Sequence, residues 1–201
     1  MTVIIGKQYW MKKNLNSLVF NNGELLTNTQ SRTDWELSII NETPAYYISD
    51  EYEGEVLYNY FAIIDSRGLL PEGFKIPSFE DINVLTNYLG GKELAGLKLK
   101  SNNEIDFPGI AYLDEEQRLR KDKYGNYSGF TANAVGKIRK DGIISSGFRS
   151  NYWILNEDNK PFVLELIEGV DAAIIYDESN FKKQYKNFIK ECGFSLRALK
   201  K

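Results

Sequence analysis

No histidine occurs in the 201 residues of this chain, and cysteine occurs once. Without an imidazole there is no Ser-His-Asp or Cys-His proton relay. Zinc and non-haem iron sites that use histidine are excluded on the same ground. The lone Cys192 can form neither an intrachain disulfide nor a multi-thiolate metal site, and it reads as a small buried apolar residue. Long hydrophobic runs are also missing, so no stretch of the chain spans a bilayer. Met1-Thr2-Val3-Ile4-Ile5 offers no basic leader, apolar run or small-residue cleavage site. The expectation is synthesis in the cytoplasm, with incorporation into a virion or secreted assembly, or display at the cell surface where a leader has been removed.

Excess positive charge is absent too. The net charge is −3 and the pI about 5.2, which leaves no whole-chain footprint for nucleic acid. One segment is locally basic: Lys182, Lys183, Lys186, Lys190, Arg197, Lys200 and Lys201, with Glu191 the nearby acid. It reads as a solvated face, the alternative being contact with an acidic partner. What is present is ordinary for a globular protein. Hydrophobic residues make up 42% and charged residues 26%, enough for a buried core, and the length suits one domain over residues 1–201. The 13 tyrosines and 11 phenylalanines are read mainly as core, with some left on exposed loops to stack on a partner.

Val3 to Ile5 and Gln8 to Met11 read as strands flanking Gly6. Leu18 to Leu26 reads as a hairpin with Gly23 at its turn. Thr33 and Glu36 have capping-box spacing for a short helix that ends before Pro44. Val56 to Ile64 lacks period-two alternation and is expected to be a buried helix. Ser78 is placed as the cap of a helix with Asp81 in its first turn, terminated by Gly90-Gly91; a helical turn over 93–97 follows. From Ser101 to Gly129 charged and turn-forming residues dominate, and an exposed loop or hairpin arm is expected. Short strands are expected within 130–139, 143–144, 152–155, 162–167 and 172–176, with Asp141-Gly142 as a turn. Phe181, Tyr185, Phe188 and Ile189 have helical spacing, and a helix is the favoured assignment over a strand. The fold class is α+β, with two early helices and a mostly antiparallel sheet.

Ordered sequence blocks run the length of the chain. The first is Ile5-Gly6-Lys7-Gln8-Tyr9-Trp10-Met11 with Lys12-Lys13-Asn14-Leu15-Asn16, followed by Leu57-Tyr58-Asn59-Tyr60-Phe61-Ala62 and Arg67 to Ser78. Next come Ser128-Gly129-Phe130-Thr131-Ala132, Gly136 to Gly142, Asn151-Tyr152-Trp153 and the closing Gly193-Phe194-Ser195-Leu196-Arg197. This set resembles the Fibrobacter succinogenes major paralogous (FISUMP) domain family. One block departs from the family pattern: Ile154-Leu155-Asn156 stands where hydroxyl residues are usual. The resemblance implies a C-type-lectin-like scaffold, closed by its N- and C-terminal strands. Phe194 and Leu196 would alternate with Ser195 and Arg197 as in a half-buried strand.

The implied activity is non-catalytic: a binding module that presents loops to a protein or glycan partner. The alternative is a structural component of a phage virion, tail or contractile injection apparatus from a Bacteroidetes-type host. The expected binding face combines Tyr112, Arg118, Arg120, Tyr124 and Tyr127 with Phe148, Arg149, Tyr152, Asn156 and Asp158, since aromatics and arginines concentrate binding energy. No cofactor and no metal is expected. Asn156-Glu157-Asp158-Asn159 is the best local oxygen cluster, but it reads as a polar turn rather than a calcium loop. The carboxylates of Asp114, Glu115 and Glu116, or of Glu157 and Asp158, could serve glycoside hydrolysis only by their number, with nothing to set their separation.

Overall fold

The computed structural model describes residues 1–52, 54–103, 106, 113–181 and 187–201. Within them the chain is α+β, with five α-helices and three sheets. One sheet runs in the order β1 (Thr2–Ile5), β2 (Gln8–Met11), β13 (Leu199–Lys200), β6 (Phe74–Lys75). A second joins β11 (Ala173–Asp177), β10 (Pro161–Ile167) and β9 (Arg149–Leu155). The third runs β3 (Thr27–Asn28), β4 (Ala45–Ile48), β5 (Val56–Asn59), β12 (Gly193–Phe194), β7 (Lys137–Ile138), β8 (Ile144–Ser145). Every named strand pair is antiparallel apart from β3 with β4.

Residues 193–200 tie the three sheets together. Gly193 and Phe194 pair with β5, and Gly193 also with Ile138 of β7. Ser195 then exchanges backbone bonds with β9, donating to Asn151 O and accepting from Trp153 N. Leu196 O and Ala198 O accept from Leu15 N and Met11 N. Leu199 finally sits between Trp10 of β2 and Lys75 of β6. The expected closure of the first strands by the last is therefore present, although it involves three sheets rather than one.

Turn chemistry explains much of the local structure. Gly23 has φ +88° in the turn that Val19 and Leu25 close, and Gly142 has φ +70° between β7 and β8. Glycine reaches such angles at no steric cost. Helix α3 (Phe79–Tyr88) carries the full capping box of Ser78 and Asp81, and α4 (Lys92–Leu99) follows Gly91. Helix α1 (Arg32–Ile40) is capped by Ser31, whose side chain bonds Asp34 N, rather than by Thr33. Val56 to Ile64 divides into β5 and a five-residue helix α2 (Tyr60–Ile64). Asn59 makes the break: its amide oxygen accepts from Ala62 N and from Ala45 N on the neighbouring strand.

The charged stretch expected to be an exposed arm contains instead α5 (Glu115–Tyr124), capped by Asp114 and Gln117. Residues 130–135 form a bridged loop rather than a strand, with Ala132 paired to Lys100. Residues 187–190 are turns, not helix, and Tyr185 lies outside the described residues. No described helix is long and apolar enough to cross a membrane.

Two large clusters and one small one form the core. Trp10, Ile82, Leu85, Leu99, Phe130, Leu164 and Leu166 pack α3 and α4 onto the second sheet. Tyr58, Trp153, Phe194 and Leu196 centre the second cluster, where Cys192 is also buried. Burial pushes the Cys192 thiol up to about 12. Trp153 stacks edge-on to Phe194 at 4.7 Å and donates from Nε1 to Tyr58 O, so its polar atom is satisfied inside the core. Trp35, Leu57 and Ile138 belong to the third cluster.

Glycine 193 is required by close approach: a Cβ there would lie 2.4 Å from the Trp35 ring and 2.8 Å from Ile138. Gly193→Ala is expected to cost about 1–3 kcal/mol through overpacking, read as a lowered urea midpoint with unchanged slope. A loss within about 0.5 kcal/mol, typical of surface changes, would show that the junction between β12 and α1 is loose.

Candidate functional site

Arg197 lies inside the molecule, 2% exposed. Strand alternation predicted a solvent-facing side chain, but residues 193–199 have neighbours on every side, and all are buried. Its guanidinium is 4.3 Å above the Phe130 ring and 5.5 Å from that of Tyr152. Nε donates to Asn14 Oδ1 at 2.8 Å, Nη2 donates to the same oxygen, and Nη1 donates to Phe130 O. Burial pulls its pKa below the usual arginine value, opposed by Tyr152 and Glu55.

Asn14 passes the network on. Its Nδ2 donates to Glu55 Oε2 at 2.6 Å and to Asn133 Oδ1 at 3.3 Å. Asn133 Nδ2 donates to Glu55 Oε1 at 2.8 Å. Both oxygens of one carboxylate are thus held by two amides, and a buried cation stands behind them. Charge-assisted bonds of this kind are the stronger ones, and each fixes the orientation of the next.

Above this floor is a cleft of about 280 Å³ lined by Lys12, Lys13, Glu55, Asp106, Thr131, Asn133 and Arg197. Asp106 accepts from Ser101 Oγ. Among the described residues Lys12 and Lys13 form no ion pair. Thr131 has φ +56°, a left-handed conformation that is an outlier for a β-branched residue. Asn126 holds it there, its Oδ1 accepting from Thr131 N and Oγ1. Strain of this sort is retained where surrounding structure over-determines it, commonly at ligand sites.

The family model of the Fibrobacter succinogenes major domain matches residues 3–200. The chain belongs to that family. No curated protein and no solved structure matches it. In this Fibrobacter succinogenes major domain the opening block supplies Asn14 and the closing block Arg197, which meet at the base of the cleft. Neither, nor Glu55 or Asn133, was singled out from sequence as a site residue. A polar residue within each outer block was the available signal.

The residues expected to form a binding face do not converge. Tyr112 lies outside the described residues. Tyr152 is 3% exposed and packs edge-on to Phe130 at 5.6 Å, as core. Arg120 is paired with Asp171, and Arg149 with Glu165 at 3.1 Å. Asn156 closes the β9–β10 turn by accepting from Lys160 N, and Asp158 is exposed at that turn. Phe148 and Arg149 stand at one end of β9 and Asn156 and Asp158 at the other, about 20 Å apart at the rise of a strand. Arg118, Tyr124, Tyr127 and Phe148 remain exposed, with Lys123 over Tyr124 and Lys98 over Tyr127. Among the described residues no group of three acidic, cysteine or histidine side chains could hold a metal ion.

Helix α5 is fastened by buried charge. Lys121 Nζ donates to Glu168 Oε1 at 2.9 Å, and Lys100 Nζ donates to Ile167 O and Val170 O, 3.9 Å from Glu168 Oε2. Burial pushes the Lys100 ammonium down to about 8, against the attraction of Glu168 and Asp171. In the window from about 8 to the unfolded value near 10.4, the unfolded chain binds this proton and the folded chain does not. Stability from this group therefore rises with pH through that window. Relative to Lys100→Met, the parent chain is expected to gain stability between pH 8 and 10; a parallel pair of curves would place the Lys100 pKa at its ordinary value.

Removing Arg197 leaves Asn14 Oδ1 and Phe130 O buried without their donor. Arg197→Leu is expected to cost about 3–5 kcal/mol in urea unfolding. Arg197→Lys also loses stability, because one ammonium cannot replace the guanidinium fork. A cost under about 1 kcal/mol for both would remove this network as the keystone of the closing segment.

Proposed function

We propose that this chain is a non-catalytic binding module on a C-type-lectin-like scaffold, which takes a polar group of a protein or glycan partner into the Glu55–Asn133 cleft. The observation that carries the reading is the combination of a locked carboxylate floor with a rim of unpaired Lys12 and Lys13. A site held in place by its own amides loses little entropy when a ligand arrives. Its acceptors suit hydroxyl or amide donors, while the two ammonium groups suit an anionic group on the same partner. The scaffold assignment is supported by the pairing of β2 with β13, which draws the two ends of the fold together. Action without chemistry is supported by the composition: no imidazole is present to move a proton.

The test is a glycan array that includes acidic and neutral sugars, probed with the parent chain and with Lys12→Ser/Lys13→Ser. These lysines are exposed, so thermal stability is expected to stay within a degree or two while binding weakens tenfold or more. Hits that the double variant retains in full would remove the cleft as the site, and turnover of any bound sugar would end the non-catalytic reading.

A further inference from the structure

The outer face of the first sheet carries an inference independent of the cleft. Trp10 of β2 and Leu199 of β13 are partners, and both belong to the first core cluster. Successive residues on a strand point to opposite faces, so Tyr9 and Lys200 point away from that core. Lys200 Nζ lies 6.0 Å from the Tyr9 ring, as neighbours on one face do. Ile4 is opposite Tyr9, and Phe74 is opposite Lys200. Ile4, Tyr9, Lys200 and Phe74 thus form one row across all four strands, about 15 Å long at the ordinary strand spacing. Ile4 is 61% and Tyr9 45% exposed; Lys200 is exposed and Phe74 half-buried. Phe74 also lines a groove of about 590 Å³ whose walls include Asn21, Glu72, Gly73 and Lys201.

The charge on this sheet has one sign. The whole chain has 28 acidic residues against 25 basic ones. Yet 1–23, 73–79 and 192–201, which supply the four strands and their flanks, hold no aspartate or glutamate. Among the described residues Lys7, at the β1–β2 turn, and Lys200 form no ion pair. A basic face attracts an anionic partner, whereas a second copy of this chain would set lysine against lysine. The row is one side chain wide, far short of the ~800 Å² a side that a standard protein interface buries. A single polymer chain fits it. Tyr9 and Phe74 stand two strand spacings apart, about 10 Å, close to the disaccharide repeat of an extended β-linked glycan. Aromatic faces are electron-rich and take the C–H face of a pyranose. The lysine between them reaches a carboxylate at the rim of the sugar.

We propose that the outer face of the first sheet binds an extended, uronate-bearing β-linked glycan, which lies across the strands along the row from Ile4 to Phe74. One pyranose stacks on Tyr9 beside Ile4. The next sets its carboxylate at Lys200, and a third stacks on Phe74. Further sugars continue into the groove beside Asn21 and Lys201.

The test titrates the full chain, ¹⁵N-labelled, with the hexasaccharide of β-1,4-linked mannuronate. Its uncharged counterpart, β-1,4-mannohexaose, tests the carboxylate, and polyglutamate tests charge without a sugar ring. The expected result is a saturable shift of the Ile4, Tyr9 and Lys200 amides, with binding at least tenfold weaker for both controls. Lys200→Ser and Tyr9→Ala are each expected to weaken binding at least tenfold, and Tyr9→Trp to retain it. Lys200 is exposed, so Lys200→Ser decides the matter should Tyr9→Ala unfold. Lys12→Ser/Lys13→Ser is expected to keep this binding. A ligand lost with that pair and kept with Tyr9→Ala belongs to the cleft, so either reading can fail alone. Any of five results would overturn the proposal: no saturable shift, equal binding by mannohexaose, equal binding by polyglutamate, full binding by Lys200→Ser, or a tighter, Tyr9-dependent hold on phosphatidylglycerol vesicles.

Discussion

Three sheets share one strip of backbone. Residues 193–200 pair with β5 and β7, cross to β9, and finish between β2 and β6. No other described segment touches all three sheets through backbone bonds. Residues 193–199 of this strip, all buried, have strands or core on every side. That is why Arg197 is buried along with Phe194 and Leu196, and why Gly193 has no room for a side chain.

Burial of the Arg197 cation determines what surrounds it. A guanidinium out of water needs acceptors in its plane and tolerates aromatic faces. Asn14, the Phe130 carbonyl and the Phe130 and Tyr152 rings supply these. Glu55 provides the compensating charge through Asn14 rather than by direct contact. The same network that makes the cation tolerable holds Glu55 and Asn133 still at the cleft floor. Stability and the proposed binding role therefore draw on one set of bonds. Helix α5 repeats the theme on a smaller scale, with Lys100 and Lys121 buried around Glu168.

Much of the local structure was legible. Ser78 and Asp81 mark the start of α3, Gly90-Gly91 its end, and Gly23 and Gly142 their turns, because each acts through nearest neighbours. The ordered blocks led to the family that the whole-chain match shows. Residues 115–124 misled because their helix has no apolar stripe. A helix that is polar all round is held by its caps and charges, and Asp114 with Gln117 was the sign to read. Val56 to Ile64 misled because its apolar residues fit both a strand and a helix; Asn59, bonded to a neighbouring strand and to the helix start, makes the division. Of the residues expected to bind a partner, Tyr152 is buried, and Arg120 and Arg149 are ion-paired with Asp171 and Glu165.

The amino-acid order alone determined the Ser78 cap of α3, the glycine turns at Gly23 and Gly142, the absence of imidazole and the family membership. All of these depend on residues close in sequence or on composition. Only the tertiary structure decided that Asn14, Glu55, Asn133 and Arg197 share a site, and that α5 lies against Glu168. Those outcomes depend on which strands lie beside which, and side-chain alternation along one strand carries no information about neighbours that arrive from the other end of the chain.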